Sequence, residues 1–221
     1  MRIPSIQPVS QKSSGCQSSA PLKEQEKIKN YLDKRIADKY VMVFSGYSGL
    51  GYADKAALKK QISEILQTKI SQYGAENIVV VAGATSEGIG MVYQLAKAHG
   101  IGTLGIVSIM AQHHAEISSA CDEIVYVPDP AGSWKVLDDK GHSWMTYAAS
   151  KNGIFLAFGG GEVTLSELHE ANQKRIPCFI FPAFEPNPEK AAARRIKYPE
   201  ADLTPVRSCY ENGEFPELSG M

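Results

Sequence analysis

Two glycine-rich stretches constrain the fold most, because each lies between an apolar run of strand character and a segment with helical spacing. Gly83-Ala84-Thr85-Ser86-Glu87-Gly88-Ile89-Gly90 follows Ile78-Val79-Val80-Val81. Gly159-Gly160-Gly161-Glu162-Val163-Thr164 follows Ile154-Phe155-Leu156-Ala157-Phe158. With no Cβ in the way, such turns bring backbone N–H groups to the positive end of a helix, a ready seat for phosphate. Two such seats on one parallel sheet place a nucleotide site at the carboxyl edge of its strands.

The rest of the chain repeats this rhythm. Lys23 to Tyr40 carries Ile28, Tyr31, Leu32 and Ile36 at helical spacing and predicts an opening helix. Strand-like Tyr40 to Phe44 breaks at Ser45-Gly46-Tyr47-Ser48-Gly49, and a helix from Ala53 presents Leu58, Ile62, Ile65, Leu66 and Ile70 on one face. Further strands are expected at Ile78 to Ala82, Thr103 to Val107, Glu123 to Val127, Ile154 to Phe158 and Cys178 to Phe181, with helices between them. The alternation predicts an α/β fold: a doubly wound, mostly parallel, Rossmann-like sheet of about seven strands with helices on both faces. Residues 1–22, rich in Ser, Gln and Pro, read as a disordered leader; 23–185 form the nucleotide-binding domain; the proline-punctuated 186–221 reads as an irregular tail.

Bulk properties narrow the function classes. A formal charge of −1 gives no overall field to recruit nucleic acid or anionic membrane. No apolar run approaches the roughly 20 residues of a spanning helix, and Met1 to Lys12 lacks the apolar stretch of a signal peptide, so a cytoplasmic location is expected. The four cysteines show no CxxC or Cys/His ligand spacing, so no metal site is expected. His113-His114 and His169 read as solvated, and Trp134 and Trp144 as core cover before base-stacking groups.

Gly159-Gly160-Gly161-Glu162-Val163-Thr164-Leu165-Ser166-Glu167 resembles the P-G-G-x-G-T-x-x-E signature of the LOG family, often mislabelled lysine decarboxylase. Val43 to Gly49 is similar to that family's first strand and V-F-C-G-S-S-type turn, and Val80 to Ile106 to its G-G-G-x-x-G-L-M-G segment. The resemblance spans roughly Val41 to Phe181. It implies a homodimer without a cofactor that binds a nucleoside 5′-monophosphate and hydrolyses its N-glycosidic bond. On the matching positions, Gly83, Thr85, Ser86, Gly88, Gly90, Gly159, Gly160, Gly161 and Thr164 would hold phosphate. Gly46 and Ser48 would contact base or sugar, and Glu167 would serve as general base or steady the oxocarbenium-like sugar.

The departures define the alternatives. Gly159 stands for the motif proline and Val163 for its second glycine, and no arginine occurs between Arg35 and Arg175, where the family places a catalytic one. Lys151 or His142 is the basic residue left to replace it, although a lysine lacks the planar fork of a guanidinium. The same fold retained as a non-catalytic nucleotide or cofactor sensor or carrier is therefore the alternative function. Thr164-x-x-Glu167 also reads as a capping box, Thr85 and Ser86 as helix caps, and the Ser45 to Ser48 segment as a plain turn. A third reading comes from Tyr147-x-x-x-Lys151, which with the Gly83 to Gly90 turn resembles short-chain dehydrogenases; the turn spacing and the short run from Lys151 to Gly159 oppose it.

Overall fold

The computed structural model describes residues 20–215, with side chains from Lys23 onward. The expected leader lies outside the described residues apart from its last three, which open the first helix.

The elements in chain order are α1 (Ala20–Ile36), β1 (Tyr40–Gly46), α2 (Lys55–Tyr73), β2 (Ile78–Ala82), α3 (Met91–Ala98), β3 (Gly102–Ser108), α4 (Ala111–His114) and β4 (Glu123–Val127). They continue with α5 (Trp144–Asn152), β5 (Gly153–Phe158), α6 (Glu162–Gln173), β6 (Cys178–Phe181), α7 (Pro188–Lys197) and α8 (Pro205–Glu211). The strands form one parallel sheet in the order β4-β3-β2-β1-β5-β6. Among the described residues it has six strands, not seven, because each apolar run makes one strand and no further run pairs at either edge.

Alternation along the strands builds a core on each face. Val41, Val43, Phe155 and Ala157 pack beneath α1, α5, α6 and α8, while Met42, Phe44, Ile154 and Phe158 pack beneath α2 and α3. Leu32 and Leu58 anchor the two layers with no exposed surface, each worth about 1.5–3 kcal/mol of transfer free energy. Among the described residues, no helix is long and apolar enough to cross a membrane.

Over its described residues the tail forms two helices where the sequence reads as irregular. Asn187 caps α7 by accepting from the Lys190 amide at 3.1 Å, and proline occupies the first turn of both α7 and α8. There a missing N–H costs nothing, so these prolines start helices and do not break them. Val206 and Phe215 join the core beneath α6, and Arg207 donates to the Pro182 carbonyl.

The order of strand addition reverses between β1 and β5, the topological switch point of the sheet. After β1 the strands step outward through β2, β3 and β4; β5 then returns to the other side of β1. Ligand crevices of open α/β sheets form outside the carboxyl ends of the strands at such a point.

Candidate functional site

At the carboxyl ends of β1 and β5, Glu167 is buried at 6% exposure. Ser45, near the end of β1, donates its hydroxyl to Oε2 at 2.8 Å. Ser143, the N-cap of α5, donates to Oε1 at 3.3 Å and accepts from the Met145 amide. Thr164 Oγ1 lies 3.1 Å from Ser45 Oγ. Burial pushes the carboxyl up to about 7, the charge of neighbouring Glu170 adds to the push, and the two serine hydroxyls and Lys135 oppose it. A carboxyl poised there exchanges a proton near neutrality.

The capping-box reading fails. Gly161 is the N-cap of α6 and makes no side-chain cap bond, so Thr164 already lies within the helix. Freed from capping, the Glu167 carboxylate turns into the hydroxyl cluster.

The second glycine turn is closed by aromatic residues of the loop between β1 and α2. Gly160, at φ +127, packs its Cα against the Thr164 side chain, where any Cβ would lie 2.6 Å from the threonine's own. The Tyr47 ring lies against Gly159, and burial there pushes its phenol up, with the Gly160 backbone opposing. Tyr52 donates to the Phe158 carbonyl at 2.8 Å and accepts from the Tyr47 amide at 3.0 Å, stitching β1 to β5. Gly46 is glycine because the Tyr52 hydroxyl occupies the space of its Cβ. The amides left for a ligand at this turn are those of the first turn of α6, from Gly161 to Thr164.

The first glycine turn faces elsewhere. Gly88, at φ +61, sits directly on the Tyr47 and Ser48 carbonyls, and Gly90 on the Thr85 carbonyl, so both serve backbone packing. Ile89 donates to the Tyr47 carbonyl at 2.8 Å, Ser86 to the Glu116 carbonyl at 3.0 Å, and the Thr85 hydroxyl to the Glu87 carbonyl at 2.9 Å. Gly83 follows β2 with open space beside it, and the Ser48 side chain is exposed. Ser86, Glu87 and Gly88 line a cleft of about 150 Å³ together with Tyr52, Lys55 and Lys190. Lys190 pairs with Glu87 at 2.6 Å, and Lys55 at the start of α2 also acts on that carboxylate. The cleft is smaller than the ~300 Å³ of a typical ligand pocket.

Lys151 is not part of the site. It ends α5 beside Asn152 at the amino edge of the sheet, 3.1 Å from Asp33 and over the Tyr147 ring. Tyr147 donates to the same Asp33 at 2.6 Å. The dehydrogenase-like Tyr147/Lys151 pair therefore stands with α1, while both glycine turns lie at the strands' carboxyl edge. His142 faces Asp138, with its Nδ1 at 3.6 Å.

The residues that do reach the site were weak signals in the sequence. Asp129, buried beyond β4, accepts from Ser108, Ser133 and Trp134 and so fixes the loop that delivers Lys135 and Ser143 toward Glu167. A loop lysine and a lone serine have no spacing that marks them. Arg207 reaches from α8 to Glu185, and its charge bears on the Tyr47 phenol. Trp144 covers core, as expected of tryptophan, while Trp134 is exposed.

No family model and no curated protein matches the chain. Among solved structures, it is similar to a molybdenum cofactor binding protein from the phototrophic bacterium Rippkaea orientalis, with a TM-score of 0.46 and 15% identity over 80% of this chain and 98% of that one. It is also similar to TM1055, a structural-genomics target, with a TM-score of 0.42 and 18% identity over 63% of this chain and 72% of that one.

Proposed function

We propose that the protein is a LOG-like binder of a phosphorylated small molecule of the nucleoside 5′-monophosphate class, held at the carboxyl edge of the sheet around β1, β2 and β5. The observation that carries this reading is the cleft where Lys55 and Lys190 converge on Ser86 and Gly88 at the first glycine turn. Two ammonium groups and a hydroxyl, set against the single Glu87 carboxylate that Lys190 pairs with, leave the cavity net positive, which suits a phosphate. Binding without turnover is favoured over catalysis by Glu167, which lies under hydroxyl partners, and by the aromatic closure of Tyr47 and Tyr52 over the second turn.

Calorimetry with AMP, GMP, CMP and UMP tests the reading. Binding of one of them, weakened roughly tenfold by Lys55→Gln or Lys190→Gln, is the expected outcome. Full-affinity binding by the double variant, or no binding of any of the four to the native chain, would refute it.

Phosphoribohydrolase activity is the second reading, favoured by the Glu167 carboxyl poised near 7 at the switch point. Chromatography for free base and ribose 5-phosphate separates the two. Release that vanishes in Glu167→Gln makes the protein a hydrolase; unchanged nucleotide makes it a sensor or carrier. The homodimer implied by the family resemblance is checked by light scattering, where a monomer at micromolar concentration contradicts it.

A further inference from the structure

His169 read as solvated in the sequence, two positions beyond Glu167. In the fold it points to another face of α6, where α8 packs. There the ring nitrogen of His169, the Sγ of Cys209 and a carboxylate oxygen of Glu214 all lie within 4.8 Å of one another. His169 is far in sequence from Cys209 and Glu214 and meets them only because the tail is helical and α8 packs on α6. The Glu214 amide donates to the Cys209 carbonyl at 3.1 Å and so fixes its position beyond α8. The His169 ring rests 5.2 Å from the buried Phe215 ring, which supports it from behind.

We propose that His169, Cys209 and Glu214 form a zinc site that ties the C-terminal helix to α6. An imidazole, a thiol and a carboxylate are a donor set that suits zinc, with the fourth position left to water. Bonds of about 2.0–2.3 Å place tetrahedral ligand atoms roughly 3.3–3.7 Å apart, so closing the triad takes shifts on the order of 1 Å. Glu214 is exposed and Cys209 and His169 are half-buried, so each has room for that movement. Glu162 and Asp202 add negative charge around the thiol. Coordination exchanges the S–H bond for a metal–sulfur bond and releases the proton to solvent. The site is separate from the nucleotide site and does not depend on that reading.

Cobalt(II) is the spectroscopic probe, added to the full chain, with zinc(II) titrated by calorimetry. The expected result is one metal per chain, with a thiolate-to-cobalt charge-transfer band and the intense visible bands of tetrahedral cobalt. Cys209→Ser abolishes the charge-transfer band and lowers zinc affinity roughly 100-fold, while Glu214→Gln keeps the band and lowers affinity roughly tenfold. Replacing His113 and His114 together by Gln changes neither. Absence of the band in the native chain, its persistence in Cys209→Ser, or loss of binding on replacing His113 and His114 overturns the site. Should Cys209→Ser fail to fold, exposed Glu214 carries the test, and full affinity in Glu214→Gln is also fatal.

Discussion

Glu167 and Asp33 are two carboxyl groups at opposite edges of one sheet, and their surroundings drive them in opposite directions. At the carboxyl edge Glu167 is buried among hydroxyls, and burial lifts it to about 7. At the amino edge burial also pushes Asp33 up, but hydrogen bonds from Lys29, Tyr147 and Lys151 overcome that and hold it at about 2. The lesson lies in the partners. Hydroxyls satisfy a carboxyl without fixing its charge and leave it free to exchange a proton, whereas ammonium groups lock it as an anion and make a structural clamp.

The largest effect expected from this contrast is on stability against pH. Because the folded chain holds the Glu167 proton more tightly than the unfolded chain, this group's stabilisation is complete below its ordinary value of 4.5 and is lost as pH rises through about 7. The loss amounts to roughly 3 kcal/mol. Denaturant unfolding from pH 4 to 9 should show it, and Glu167→Gln should flatten that fall; an identical slope in both proteins would break the comparison. Next in size is Ser45→Ala, which removes the closer donor and should cost roughly 1–2 kcal/mol, more above pH 7 than below.

Asp33→Asn is expected to cost less than about 1 kcal/mol, because its partners are solvent-screened. Asp33 stabilises above its ordinary value of 3.8 and loses this as pH falls through about 2, the reverse of Glu167. Raising the salt concentration should shrink the Asp33→Asn effect and leave that of Ser45→Ala. Smallest of all is Lys151→Ala, predicted to change stability by under about 0.5 kcal/mol and nucleotide affinity not at all. A loss of ligand binding there would restore Lys151 to the site.

The strands were legible because each is a short apolar run between turn signals, and β2, β4 and β6 begin and end where the sequence places them. The tail was misread because Asn187-Pro188 and Thr204-Pro205 are equally good as breakers and as helix starts; only packing beneath α6 decides between them. At the candidate site, Glu167, Thr164 and Ser45 near the end of β1, all in segments the sequence singles out, lie within hydrogen-bonding distance. Lys151 falls at the opposite edge because α5 runs directly into β5, so the last residues of that helix sit at the strands' amino ends. Ser143, Lys135 and Arg207 come from loops and tail, whose positions depend on contacts such as those of Asp129 and carry no periodicity.

The strand order has a consequence during synthesis. One edge of β1 is covered as soon as β2 emerges, but the other, from Val41 to Gly46, finds its partner only in β5, after β2, β3 and β4 have been made. For that interval a nascent four-stranded sheet presents an apolar, unpaired flank to whatever is nearby. Its shield is the later-made β5, so a nascent chain that ends before Gly153 leaves that flank of β1 unpaired.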